Sequence, residues 1–104
     1  REFIIENYRT TIEVEHLAKL INKSINYTIS VFKEIYGQTP IQYVHHLRIS
    51  EACYLLNHTE MTIVNIAEYL GYYDHAYLTK TFKKYMLISP KDYRMNNHER
   101  LRRG

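Results

Sequence analysis

The sequence predicts an all-α chain of about seven helices, and three observations carry that prediction. Only three Gly and two Pro occur in 104 residues, too few for the many tight turns of a β protein. Apolar residues recur three and four apart along most of the chain, the spacing of one helix face. Most of these runs follow a residue able to cap a helix N-terminus.

The elements follow in order. A first helix is read near Phe3–Tyr8, with Phe3, Ile4 and Ile5 as its apolar face and Thr10 and Thr11 breaking it. Val14, Leu17, Ala18 and Ile21 stripe a second helix. Asn22 ends it, since Asn takes a left-handed turn conformation almost as Gly does. Ser24 caps a third helix, with Tyr27, Val31, Phe32 and Ile35 expected inward and Gly37 as its stop. In the stretch TPIQY, residues 39–43, Thr39 is the N-cap, Pro40 suits the first helical position and Gln42 completes a capping box. The helix it opens carries Val44, Leu47, Ala52, Leu55 and Leu56 and reads to about Asn57, roughly 17 residues or about 26 Å of rod. NHTEMT, residues 57–62, is a loop. Thr62 caps a helix holding Ile63, Ile66, Ala67 and Leu70, and Gly71 ends it. Asp74 caps the next, with Tyr77, Leu78, Phe82 and Tyr85 expected inward. SPKDY, residues 89–93, repeats the earlier start with Ser89, Pro90 and Asp92. The last ten residues are polar and basic, and little order is expected there.

Composition narrows the function classes. A single cysteine, Cys53, cannot form an internal disulfide, which fits a reducing compartment and points to a cytoplasmic protein. On its helix it reads as a half-buried free thiol ahead of a redox sensor. No apolar run approaches about 18 residues, so no membrane span is expected. The N-terminus is not a signal peptide. The chain does not begin with Met, and is expected to be part of something longer. Six histidines include no pair four apart, so no metal or other cofactor is expected. No nucleophile motif surrounds the Ser, His and Asp residues, so no catalytic residue is named and the chain is not read as an enzyme. Most of the tyrosines sit at core-like positions; Tyr8, Tyr36, Tyr54, Tyr72 and Tyr73 are the ones to consider for stacking on bases.

Charge is unevenly spread. The net charge is +3, but residues 1–79 balance at −3 and residues 80–104 at +6. A basic end suits a polyanionic partner such as nucleic acid, and equally suits a solvated tail.

Residues 17–43 repeat in residues 66–93. Leu17/Ile66, Ala18/Ala67 and Asn22/Gly71 stand 49 apart. One extra residue enters the second turn. Ser24/Asp74, Tyr27/Tyr77, Phe32/Phe82, Lys33/Lys83, Pro40/Pro90 and Tyr43/Tyr93 then stand 50 apart. Each copy is helix, short turn, helix, with a small Ala that lets the two helices cross closely and steeply. The start of the second helix then projects. That is the helix-turn-helix plan, whose second helix enters a DNA major groove. It accounts for the polar first turn after Gly71, which would meet base edges. An ordinary helical hairpin without a DNA role is the bland reading of either copy alone.

The stretches VEHLAKLINKSINYTISVFKEIYGQTPIQYVHHLRISEACYLL and TIVNIAEYLGYYDHAYLTKTFKKYMLISPKDYR resemble the DNA-binding domain of the AraC/XylS family of bacterial transcription regulators, from about Ile4 to Arg94. The most specific piece is IAEYLGYYDHAYLTKTFKKY followed by SPKDYR. It is similar to the family signature I-A-x-x-x-G-F/Y, then Y-F/L-x-R/K-x-F-K/R-K/R, then S/T-P-x-x-Y/F-R. LRISEACYLL resembles the family's linker-helix pattern. The resemblance implies a first helix-turn-helix unit over residues 1–43, a linker helix over 40–57, a second unit over 58–94 and a basic tail over 95–104. It also implies sequence-specific binding to double-stranded promoter or operator DNA, one recognition helix in each of two successive major grooves, about 34 Å apart. RNA polymerase is an implied partner, as is a ligand-sensing or dimerisation domain absent from these residues.

By the same resemblance, Asn26, Ile29 and Ser30 of the first unit and His75, Ala76, Thr79 and Lys80 of the second are base contacts. Lys80 suits guanine O6/N7, Asn26 suits adenine N6/N7, and Ile29 and Ala76 suit thymine methyls. Ser24, Tyr27, Lys33, Arg48, Asp74, Tyr77, Lys83, Lys84 and Arg94 are candidates for phosphate or structural contacts. The departures fall mostly in the first unit: Asn22 and Lys23 at the turn, Thr28 where the second copy has Leu78, and Glu13 where it has Thr62. In the second unit Leu87 replaces the Gly seen at Gly37. Residues 1–43 carry no net charge, so the first unit is expected to add less electrostatic affinity. A helical protein-interaction module with degenerate DNA binding is the competing reading.

Overall fold

The computed structural model describes Ile4, Glu6 and residues 18–103. Among these residues all regular structure is helical. Ile4 and Glu6 are helical, as are residues 18–20. They are followed by α1 (Ile25–Tyr36), α2 (Pro40–His58), α3 (Ile63–Leu70), α4 (His75–Met86) and α5 (Pro90–Arg103). The chain divides into two compact units, Arg1–Leu47 and Arg48–Gly104, with the boundary inside α2. Most of the expected first helix, Val14 and Leu17 of the second, and the Glu13 cap position lie outside the described residues.

In the first unit the chain leaves residues 18–20 through a left-handed residue, Asn22 at φ 55°. The Lys23 amide donates to the Ala18 carbonyl at 2.9 Å and the Asn22 amide to the Lys19 carbonyl at 3.1 Å, closing the helix end. Ser24 then caps α1, its hydroxyl accepting the Tyr27 N–H at 3.1 Å. Phe32, Tyr43, Val44 and Ile4 form the core, with Tyr36 and Leu47 packed against it. Phe32 meets Tyr43 edge-on, centroids 5.7 Å apart and planes at 68°.

The inward face of α1 differs from the expected stripe. Thr28, only 5% exposed, lies buried beside Phe32, while Tyr27 and Ile35 face solvent, as does Ile21 ahead of the helix. The Thr28 hydroxyl donates to the Ser24 carbonyl at 2.8 Å, so its one strong donor is satisfied locally and the side chain can be buried without a desolvation penalty. Residues 28 and 32 stand four apart and define the face; Tyr27 is rotated about 100° off it, while Ile35, on the same line, is exposed in the last turn of the helix.

The second unit repeats this construction. Gly71, at φ 87°, closes α3 with the Tyr72 amide on the Ala67 carbonyl at 3.0 Å and its own amide on the Glu68 carbonyl at 3.2 Å. Thr62 caps α3 through the Asn65 N–H at 3.1 Å, and Asp74 caps α4 through the Tyr77 N–H at 2.8 Å. Ile66, Ala67, Leu70, Leu78 and Phe82 are buried. Tyr77, expected inward, is exposed for the same rotational reason, and Tyr85, also expected inward, is exposed in the last turn of its helix. Phe82 meets Tyr93 at 5.5 Å and 72°, the counterpart of Phe32 on Tyr43.

The two long-helix starts are built as expected. Thr39 and Gln42 form a reciprocal capping box, with Thr39 N–H on Gln42 Oε1 at 2.9 Å and Gln42 N–H on Thr39 Oγ1 at 3.2 Å. Ser89 accepts the Asp92 N–H at 3.1 Å. The tail departs from expectation: α5 runs on to Arg103. Residues 95–103 contain no Gly or Pro, and the helix is tied to the end of α2 just before them and at Asn97. Arg94 donates from Nε to the Leu56 carbonyl at 3.1 Å and from Nη2 to the Thr59 carbonyl at 3.3 Å. Asn57 donates to the Tyr93 hydroxyl at 3.3 Å, and Asn97 donates to Asn57 Oδ1 at 2.7 Å. A helix so anchored needs little propensity to continue. No helix of the described residues is long and apolar enough to cross a membrane.

Candidate nucleic-acid interface

The side-chain oxygen of Asp74 takes up an N–H of the first turn of α4 and so holds the helix start open to solvent. Leu78 and Phe82 set which side is buried. With 3.6 residues per turn, residues 76 and 80 then lie across the helix from that side, Thr79 stands at its edge, and His75, in line with Phe82 two turns on, is left open by its place in the first turn. His75, Ala76 and Lys80 are exposed and Thr79 is half-buried. The same logic runs in α1. Ser24 caps it, Thr28 and Phe32 are buried, Asn26 and Ser30 are exposed, and Ile29 is half-buried. Each of the two sets of candidate base-contact residues named from the sequence thus lies at the solvent-facing start of its helix. Tyr27 and Tyr77, matched in the repeat, are 49% and 50% exposed, which places the two helices in the same rotational setting on their units.

The surroundings of the two starts differ. In the first unit Lys23 lies over the Tyr27 ring at 5.4 Å. In the second, Tyr72 takes the place of Lys23 and sits 5.6 Å from Tyr77, with the Arg48 guanidinium 4.9 Å above the Tyr72 ring. Burial lowers the Arg48 pKa, opposed by its interaction with Tyr72. Burial also pushes the Tyr72 phenol up to about 12, although the neighbouring Arg48 charge pulls it down. Arg48 is therefore an inward, structural residue, and so is Arg94, whose guanidinium holds two carbonyls near the end of α2. Lys33, Lys83 and Lys84 stay exposed. Of the tyrosines considered for stacking, Tyr72 is buried and Tyr36 packs on Phe32 at 4.5 Å. Tyr54 and Tyr73 are exposed, and Tyr8 lies outside the described residues.

Electrostatics separates the helices further. α4 carries Lys80, Lys83 and Lys84 and no acid, whereas α1 carries Lys33 and Glu34. One outward residue escaped the sequence reading. Ile25, at the first position of α1, is 41% exposed. Its repeat partner is His75, and that correspondence was the signal available to find it.

A family model described as a helix-turn-helix domain matches residues 17–96. The chain is 35% identical over 102 residues to the MmsAB operon regulatory protein of Pseudomonas aeruginosa, covering 98% of this chain and 32% of that protein. It is similar in structure to the C-terminal domain of the two-component response regulator yesN of Fusobacterium nucleatum subsp. nucleatum, with TM-score 0.85, 33% identity, and 89% and 91% of the two chains covered. It also shares the fold of the DNA-binding domain of AdpA, solved with a target DNA, with TM-score 0.90, 23% identity, and 99% and 93% covered. The chain spans about a third of the length of the curated relatives it matches. Two capped helix-turn-helix units and these likenesses agree: the chain belongs to the AraC-type helix-turn-helix family, and is a DNA-binding domain of a transcription regulator.

Proposed function

We propose that the chain recognises a double-stranded promoter or operator site by placing the first turns of α1 and α4 in major grooves. The observation that carries this is the repetition of cap, buried face and outward face in both helices, down to the matched exposure of Tyr27 and Tyr77. Asn26, Ile29 and Ser30 read bases in one half-site, and His75, Ala76, Thr79 and Lys80 read them in the other. Lys80, cationic and exposed, donates to guanine O6/N7. Tyr27, Lys33, Tyr77, Lys83 and Lys84 position the helices on phosphate. Ser24 and Asp74 mark the helix N-termini, where the backbone favours phosphate oxygens. The curated relatives are about three times as long as this chain, and we assign a sensing or dimerisation function to a further domain of the regulator. RNA polymerase is the protein partner proposed for the complex at a promoter.

The test is a selection of random duplex DNA against the domain at near-physiological salt, followed by sequencing. Enrichment of a non-palindromic site with two clusters about one helical turn apart supports two reading units. A single cluster assigns reading to one unit. No enrichment, together with affinity insensitive to salt, would overturn the DNA reading, since neutralised phosphates make affinity fall steeply with salt.

A further inference from the structure

The two recognition helices share one backbone frame and present different chemistry on it. Matched by the repeat, Ile25 stands for His75, Ile29 for Thr79, Ser30 for Lys80 and Glu34 for Lys84. The frame is the same because caps, buried positions and ring pairs coincide, so the differences lie in what each helix offers outward. At these four outward places the first unit has two branched hydrocarbon side chains, a hydroxyl and a carboxylate where the second has an imidazole, a hydroxyl and two ammonium groups, and at a fifth Asn26 stands for Ala76.

From this we infer that the first unit reads thymine methyl groups, with Ile25 a further specificity-determining residue, and that its half-site is A·T-rich. The inference rests on the DNA-binding reading above. Guanine presents two acceptors in the major groove and is best met by a cationic donor, which the first two turns of α1 lack. The thymine C5-methyl is the apolar group of that groove. Ile25 and Ile29 stand four apart on one helix face, side by side, and cover neighbouring methyls. Asn26 and Ser30 stand four apart one step round the helix, and Asn suits adenine on the paired strand. This interleaving of amide and hydroxyl with the isoleucines fits a base-pair edge better than an apolar protein groove, which would ask for a wider continuous stripe. Glu34, exposed, makes α1 neutral overall, so methyl contact rather than phosphate attraction must supply much of the affinity of this unit.

The test starts from the site selected by the wild-type domain. An Ile25→Ala/Ile29→Ala variant identifies which base cluster belongs to the first unit. Thymines of that cluster are then replaced one at a time by uracil, which lacks only the methyl group. Wild-type affinity is expected to fall about four-fold per methyl read, and the variant, already blind to the methyls, is expected to show no further loss. A G·C-rich first cluster, or uracil bound as well as thymine by the wild type, overturns the inference while leaving the DNA reading intact. So does a selected site in which only the cluster altered by Lys80→Ala exists; the isoleucine stripe would then belong to a protein partner. Failure to select any DNA overturns this inference, and with affinity insensitive to salt it overturns the DNA reading as well. The cluster left unaltered by Lys80→Ala is an independent assignment of the first unit, and the uracil probe acts on the wild-type protein, so a poorly folded isoleucine variant does not remove the test.

Discussion

Leu87 closes α4 at φ 68° with the same left-handed turn by which Gly37 closes α1 at φ 77°. Both amides reach back to equivalent carbonyls, Gly37 to Lys33 at 2.8 Å and Leu87 to Lys83 at 2.9 Å. Only one of the two residues suits the conformation, since a side chain in the left-handed region costs about 1–2 kcal/mol. Leu87 is 81% exposed, so little packing offsets that strain. Leu87→Gly is therefore expected to stabilise the protein by about 0.5–1 kcal/mol, after the larger chain entropy of unfolded Gly is subtracted. A Cβ at Gly37 would meet nothing within 4 Å, so Gly37→Ala tests backbone strain alone and should destabilise by about 1 kcal/mol. Urea denaturation of the two variants checks both signs, and a destabilised Leu87→Gly protein would defeat the argument.

Arg94 acts as a side-chain cap on another helix. Near its C-terminus α2 leaves carbonyls that no later turn can satisfy; Arg94 supplies the donor for Leu56 and, beyond the helix, for Thr59. Lysine has one ammonium and cannot hold both carbonyls in this fork. Arg94→Lys should therefore cost about 1–2 kcal/mol in thermal stability. Arg94→Ala should cost more, and amide hydrogen exchange should rise at the end of α2. Unchanged exchange there would mean that the guanidinium holds little.

Tyr72 predicts a particular alkaline limb. Burial raises its pKa from the ordinary 10 to about 12, so the folded state prefers the neutral phenol. Below pH about 10 the phenol is protonated in both folded and unfolded chains, and its contribution to stability is fully present. Above that, the unfolded chain ionises first, and stability falls as pH rises toward 12. Tyr72→Phe removes this titration. The fall in stability between pH 10 and 12 should be shallower in Tyr72→Phe than in the wild type, measured as urea midpoints across the range. The other tyrosines titrate in both proteins and cancel in the difference.

The caps were legible in the sequence because each is local chemistry. Ser24, Thr39, Thr62, Asp74 and Ser89 each act on an amide three residues on, and three residues of sequence suffice to foresee that. The outward faces of α1 and α4 followed from the repeat and the resemblance. The inward face of α1 did not, because Thr28 reads as polar until its hydroxyl is seen to bond the Ser24 carbonyl. Tyr27 and Tyr77 read as inward for the complementary reason, since apolar content alone does not say which side of a helix is covered, whereas Ile35 and Tyr85 stand on that side but in the last turns of their helices. Arg48 and Arg94 carried charges that suggested phosphate, and only tertiary structure reveals the Tyr72 ring and the α2 carbonyls that engage them. Order in the tail was equally hidden, since it depends on Asn57 and Asn97 meeting across 40 residues of sequence.

On the proposed reading, Lys80 and Lys84 separate reading from holding within one helix. Both are exposed on α4, but Lys80 stands near the helix start proposed to enter the groove, while Lys84 lies in the last turn, away from it. Lys80→Ala should cost about 1–3 kcal/mol on the selected site and relax specificity at one base pair. Lys84→Ala should weaken site and non-site DNA alike and make the salt dependence shallower by about one unit of slope. Titrations of both variants on specific and scrambled duplexes at several salt concentrations distinguish the two roles. If Lys80→Ala lowers both affinities by the same factor, Lys80 holds phosphate too, and base reading by the second unit falls to His75, Ala76 and Thr79.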